Sequence, residues 1–230
     1  MRLACRNLTF QYPDSGSKLI DSLSFSMPGP GFNAVFGPSG VGKTSFARLV
    51  AGQISADQGT IHTENLSTIL YSYNLERLPS WSSIGRLLKQ VTPSDKEPLR
   101  EELITLFELQ ELMEARFTQL SLGQQNRINL LRCLVQDFDL LILDESLANV
   151  DEKLRRAILL RIKELFPERM FLSISHNLME VATFCKEILV LGAQSKQGGG
   201  HILQGLDSYQ DDIVDKNSLD SAMLEIMNVC

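Results

Sequence analysis

The chain has 230 residues, 43% of them hydrophobic and 22% charged, with a formal net charge of −6. That size and balance suit one large globular domain, or a domain with a helical insert, and argue against a strongly basic nucleic-acid surface. No run approaches the roughly 18 consecutive apolar residues that mark a membrane-spanning helix, and the opening MRLACRNLTFQYPD lacks the basic and apolar regions of a secretory signal, so work at a membrane is expected to pass through a partner.

Residues 2–10 alternate as a strand, and a turn at Tyr12-Pro13-Asp14-Ser15-Gly16 follows. Residues 19–27 read as a second strand through Leu23, Phe25 and Met27. Pro28 to Gly31 turn the chain into a short apolar strand, Phe32–Phe36. The next eight residues, Gly37-Pro38-Ser39-Gly40-Val41-Gly42-Lys43-Thr44, match the phosphate-binding loop G-x-x-x-x-G-K-[ST]. Phe46, Leu49 and Val50 then show helical spacing, so strand, loop and helix stand in the order the motif requires. Gly37, Gly40 and Gly42 allow the backbone to curl so that its N–H groups converge at a helix N-terminus, which favours an anion. Lys43 is placed for the β- and γ-phosphates, and Thr44 offers a hydroxyl to Mg²⁺.

Gly52 ends the first helix, and short strands follow at 60–62 and 68–73. An irregular loop, residues 74–81, leads into helical patterning through Ile84, Leu87, Leu88 and Val91, a polar break at 92–98, and an amphipathic helix through Leu99, Leu103, Leu106 and Phe107. Residues 120–136 form a further helix with Ser121 as N-cap and Gly123 in its polar first turn. Residues 82–135 thus read as a helical insert in an α/β core. Residues 138–143, FDLLIL, have the continuous apolar character of a central parallel strand, and it ends in Asp144-Glu145. Two adjacent carboxylates at a strand's C-terminal edge point to different faces and take different tasks: Asp144 in the Mg²⁺ shell, Glu145 on water.

A helix at 151–166 begins with acidic residues, residues 170–174 form a strand with His176 just beyond it, and EILVL at 187–191 forms another. Gly198-Gly199-Gly200 is a loop closed by HILQG, and the tail places Leu219, Met223, Ile226 and Met227 on one helical face. The four cysteines, Cys5, Cys133, Cys185 and Cys230, lack metal-ligand spacing, and Cys133 and Cys185 lie in apolar patterns as reduced core residues.

Taken together, the phosphate loop, LSLGQQNR, LLILDE, SLANVD and the strand-terminal His176, in this order, resemble the ATP-binding subunit of ABC transporters. The likeness covers about residues 1–205 and implies an α/β fold: a P-loop NTPase core with a mixed central sheet, N-terminal antiparallel strands and the helical insert. Residues 206–230 are expected to form a helical tail packed on the same domain. The resemblance assigns Tyr12 to stacking on adenine, and Gly37, Ser39, Gly40, Gly42, Lys43, Thr44 and Ser45 to the phosphates. Ser121, Gly123 and Gln124 match the signature motif that contacts the γ-phosphate held by a second subunit. Asp144 matches the Mg²⁺-associated aspartate, Glu145 the catalytic glutamate, Asp151 the aspartate of the loop crossing the dimer interface, and His176 the switch histidine.

Two positions depart from the family pattern. Leu122 replaces the first signature glycine. At the glutamine that reaches Mg²⁺ or the attacking water, alignment on Trp81 places Asn74, and a shift of one residue places Tyr73.

The function implied is an ATPase, using ATP and Mg²⁺, that dimerises around two ATP molecules and energises import of a small solute. Its implied partners are a second, identical ATPase subunit, integral membrane permease subunits and a solute-binding protein, with no nucleic acid. It would sit at the cytoplasmic face of the cell membrane, peripherally through the permease. Arg77-Leu78-Pro79-Ser80-Trp81 and the single-domain build resemble importer subunits for nitrate, sulfonates and taurine. The alternatives are a soluble ATPase of the same type with an assembly role, and a nucleotide-binding regulator without turnover.

Overall fold

The computed structural model describes residues 1–192, 200–209, 212 and 214–230; of the expected triple-glycine loop, Gly198 and Gly199 lie outside the described residues. Two sheets organise the chain. The smaller is antiparallel, in the order β2 (Ile20–Pro28), β1 (Arg2–Phe10), β4 (Gln58–Glu64). The larger runs β5 (Ile69–Tyr73), β6 (Leu140–Asp144), β7 (Met170–Ile174), β3 (Gly31–Phe36), β8 (Glu187–Val190), β9 (His201–Gln204). All its neighbours are parallel except β8 and β9, so the central sheet is mixed.

Local sequence explains the layering. β6 and β7 are buried at every residue, because helices cover one face of the parallel strands and α1 with the small sheet covers the other, leaving no side for alternation. β1 alternates imperfectly, with its ladder to β2 shifting register after Cys5 and after Leu8. One core lies between the large sheet and the helices α2 (Ile84–Val91), α3 (Glu97–Leu106), α4 (Leu122–Leu134) and α5 (Glu152–Leu165). Stacked Phe32 and Phe171, with ring centroids 4.4 Å apart, sit within it. A second core joins the small sheet to α1 (Lys43–Val50) and the opposite face of the large sheet. A third packs α6 (Leu178–Phe184) and α7 (Lys216–Val229) against β3 and β8 through Val181, Ile188, Ala222 and Ile226. The chain between β5 and β6 holds α2, α3, α4 and short 3₁₀ turns, with a single antiparallel bridge between Ser83 and Arg116, so the regular elements of the insert are helical.

All four cysteines are free, and Cys5, Cys133 and Cys185 are buried. Burial pushes the Cys5 thiol up to about 12 and that of Cys133 to about 11. Among the described residues no group of three His, Cys, Asp or Glu side chains is placed to hold a metal ion, and no helix is long and apolar enough to cross a membrane.

Residues 207–209, beyond β9, are tied down by one buried cation. Lys163 of α5 donates to the Phe184 carbonyl at 3.1 Å, to Asp207 at 2.8 Å and to the Ser208 carbonyl at 2.8 Å, beneath the Tyr209 ring. Its side chain is 2% exposed, so the partners replace water that it has lost. Lys163→Ala is predicted to lower the unfolding free energy by about 2–4 kcal/mol in urea titrations; a loss below about 0.5 kcal/mol would show that these contacts re-solvate freely.

Candidate functional site

Parallel register brings the site together. Val35 of β3 pairs with Ile174 of β7, and Ile174 pairs with Asp144 of β6, so three strands reach their C-terminal ends in one row. The phosphate loop leaves β3, Glu145 follows β6, and Ser175-His176 follow β7 at the same edge. A cleft of about 330 Å³ opens there, lined by Ser39, Gly40, Gly42, Lys43, Thr44 and Ser45 on one side and Glu145 and His176 on the other.

The loop needs its glycines at particular places. Gly37, at φ 154°, lies so close to the chain after β8 that a Cβ would fall 2.1 Å from the Leu191 carbonyl oxygen. Gly42 stands at the N-cap of α1 with φ 109°; no side chain caps this helix, and its first turn has no acidic residue. Its first N–H groups therefore keep their capacity for an anionic ligand. Lys43 is buried, its ammonium donating to the carbonyls of Gly37 and Pro38, both at 2.8 Å. Burial lowers its pKa, opposed by the charges of Glu145 and Asp144. Tyr12 packs its ring edge-on to Phe10, and its hydroxyl lies 3.1 Å from Ser45 Oγ, beside the loop.

The two carboxylates sit in different environments. Asp144 is buried, accepts from Tyr71 Oη at 2.8 Å and is hydrogen-bonded by Thr44. Burial raises its pKa, against the opposing pull of the Tyr71 and Thr44 hydroxyls. Glu145 adopts φ 53°, a left-handed conformation uncommon for a residue with a side chain, while its N–H bonds to the Ile174 carbonyl at 3.1 Å. This turns its carboxylate toward His176, whose Nε2 it contacts.

A buried lysine, a hydroxyl and a buried carboxylate beside uncapped helix N–H groups fit a nucleoside triphosphate with Mg²⁺. The remaining sequence-predicted residues lie elsewhere. Ser121 caps α4, accepting from Gln124 N–H at 3.3 Å while Gln124 Oε1 accepts from Ser121 N–H at 2.9 Å. Gly123 is buried, a Cβ there falling 2.3 Å from the Asn149 carbonyl oxygen, and Leu122 is 49% exposed. None of Ser121, Gly123 and Gln124 lines the cleft. Asp151 caps α5 by accepting from Leu154 N–H at 2.9 Å. Asn74 follows β5; its N–H donates to the Asp144 carbonyl at 3.0 Å, and its side-chain oxygen accepts from Asn126. Two residues escaped sequence reading. Tyr71 lies on the face of β5 toward Asp144, a placement that the β5–β6 register alone reveals. Asn126 is a buried amide on a helix face that carries core residues, and that break in pattern is a signal.

Residues 20–148 match the ABC transporter family. The spermidine/putrescine import ATP-binding protein PotA of Vibrio cholerae is 30% identical over 193 residues, 76% of this chain and 51% of that protein. The protein of the same name from Marinobacter nauticus is 31% identical over 207 residues, 82% of this chain and 55% of that one. The chain thus spans about half the length of the curated relatives it matches. Among solved structures, a bacterial Atm1-family ABC exporter with ATP bound aligns with a TM-score of 0.79 at 21% identity, covering 99% of this chain and 41% of that one. A dimeric ATP-binding cassette in a post-hydrolysis state, bound to ADP and Pi, aligns at 0.74 and 17% identity, covering 90% and 100%. At these identities the two structures bear on the fold alone.

One expectation is corrected. The likeness to nitrate, sulfonate and taurine importers rested on Arg77 to Trp81, whereas the relatives are named for spermidine and putrescine import. That stretch is a surface loop in which Leu78 alone packs on a core while Trp81 is 81% exposed, so packing constrains few of its residues and a short match in it carries little weight.

The burial of Asp144 has a stability consequence. A carboxyl whose folded pKa lies above its unfolded value favours folding below the unfolded pKa, and that contribution is lost as pH rises through the folded pKa. In Mg²⁺-free buffer, Asp144→Asn is predicted to be more stable than the parent at pH 7.5, with the difference shrinking as pH falls to 4. Urea unfolding at both pH values checks this; an equal difference at the two would contradict the burial account.

Proposed function

We propose that this chain, which belongs to the ABC transporter family, is an ATP-hydrolysing subunit that pairs head to tail with a second copy and energises solute import through separate membrane permeases. The observation that carries this reading is the convergence of a curled phosphate loop, buried Lys43, buried Asp144 and the Glu145–His176 contact at one edge of a parallel sheet.

In this reading the backbone N–H groups of the loop and Lys43 bind the phosphates of ATP, with Ser39 and Ser45 beside them, and Tyr12 offers its ring to the adenine. Thr44 and Asp144 would hold Mg²⁺, which supplies charge neutralisation at the phosphate oxygens when bound. Glu145 accepts a proton from, or orients, the attacking water. His176 holds the Glu145 carboxylate and presents its ring to the γ-phosphate. Ser121, Gly123 and Gln124 belong to the opposite half-site: they lie at the start of a capped helix away from their own cleft, where they are free to meet ATP held by the second copy. Leu122, half exposed beside them, adds an apolar contact to that face. Asp151, exposed at the start of α5, belongs to the same interface.

Closure of the dimer by ATP binding, and opening after hydrolysis, follow from contacts made only while the γ-phosphate links both copies. Exposed Tyr73 at the end of β5, with Leu75 and Trp81 on the loop before α2, supports a permease contact, and so favours transport over a free-standing assembly ATPase. The subunit would then lie at the cytoplasmic face of the membrane, held by the permease, with a solute-binding protein upstream. The names of the relatives support a small organic solute such as a polyamine, whose selection rests with the other components.

Glu145→Gln is expected to keep ATP binding, to slow phosphate release by roughly a hundredfold or more, and to accumulate an ATP-bound dimer in light scattering. Lys43→Ala is expected to lose ATP binding. Hydrolysis by Glu145→Gln at the parental rate would refute the role given to Glu145.

A further inference from the structure

Helix α4 buries polar side chains where its neighbours are apolar. Asn126, Asn129 and Arg132 recur every third residue, and the two asparagines are 2% and 1% exposed. An amide is costly to bury without partners, so the partners indicate what the stripe does. All three grip the short segment that follows β5. Asn129 Nδ2 donates to the Glu76 carbonyl at 2.9 Å, and Arg132 pairs with the Glu76 carboxylate at 2.6 Å. Asn126 Nδ2 donates to Asn74 Oδ1 at 3.0 Å and to the Ala148 carbonyl at 2.8 Å, so both of its hydrogens are used.

One side chain thus joins three parts: the segment starting at Asn74, the helix that begins at Ser121, and the loop that leaves Glu145. The third part has little freedom of its own. Glu145 and Asn149 hold φ values of 53° and 63°, Ser146 Oγ donates to the Ser72 carbonyl at 2.7 Å, and Asn149 lies against Gly123 with no room for a Cβ. A shift at Glu145 therefore reaches Ala148, and through Asn126 it reaches α4.

We propose that Asn126 is a positioning residue for hydrolysis, and that Asn74 acts through it, holding α4 in step with Glu145, and not as a ligand of Mg²⁺. This rests on the ATPase reading above. The amide oxygen of Asn74, the atom a cation would need, is turned to Asn126 on α4, and Asn74 does not line the cleft that holds Lys43 and Thr44. Lengthening by one methylene would be needed to match the reach of glutamine from the same backbone position.

The test uses the full chain with Asn74→Ala, Asn126→Leu, which keeps the volume and removes both donors, and the double variant. Two readouts are taken: kcat, and the Mg²⁺ concentration at which ATP raises the melting temperature. Each single variant is expected to lose about tenfold in kcat, and the double no more than Asn126→Leu alone, because that variant already removes the link to Asn74. The Mg²⁺ midpoint is expected to stay within about twofold of the parent throughout.

A double variant down about a hundredfold, singles with parental kcat, or a Mg²⁺ midpoint raised about tenfold by Asn74→Ala overturns the proposal. If Asn126→Leu does not fold, Asn74→Ala decides alone: an unchanged midpoint with reduced kcat supports it, and a raised midpoint overturns it. A parental chain whose melting temperature ignores Mg²⁺ and ATP would remove the ATPase reading and this role with it. A responsive parent with multiplying losses removes only the role of Asn126.

Discussion

The site depends on register. Three parallel strands, β3, β6 and β7, are paired so that Val35, Ile174 and Asp144 end in one row. Backbone hydrogen bonds enforce that row, and burial of both faces makes a slip costly, since moving a strand by one residue exchanges the faces on which its side chains lie. With the row in place, each chain segment that leaves it enters the same small volume: the phosphate loop from β3, Glu145 from β6 and His176 from β7. The chemistry comes from loops, and its precision from the sheet beneath them.

Electrostatics at that edge are held in tension. Lys43 and Asp144 are both buried, and burial opposes the charge of each, lowering the pKa of one and raising that of the other. Lys43 turns to two carbonyls and Asp144 to two hydroxyls, so both are hydrogen-bonded without a direct salt bridge between them. Such groups are poised to exchange local partners for a ligand that carries phosphate oxygens and a cation. The left-handed backbone at Glu145 belongs to the same pattern, a local cost borne where the carboxylate must be aimed.

Much of this was legible in the sequence, for identifiable reasons. The phosphate loop and the strand ending in Asp144-Glu145 are local patterns whose physics lies within a dozen residues, and the α/β order of elements follows from hydrophobic period and glycine or proline punctuation. The helical insert was legible because its apolar residues recur at helical spacing. The pairings across the fold were not: Tyr71 with Asp144, Asn126 with Asn74, and Glu145 with His176 depend on strand register and on how α4 lies over β5. The stretch from Arg77 to Trp81 misled for a different reason, since residues as exposed as Trp81 are little constrained by packing and a short match among them carries little weight. What Ser121, Gly123 and Gln124 do is also invisible within one chain, because they lie outside the cleft formed by their own phosphate loop.

The central claim is that this cleft is half of a site, completed by the start of α4 from a second copy. The most direct measurement is phosphate release per chain as chain concentration is varied at saturating ATP and Mg²⁺, with light scattering on the same samples. The account predicts a rate per chain that rises with concentration and levels off where the dimer predominates. A constant rate per chain, persisting at concentrations where the chain is monomeric, would contradict it.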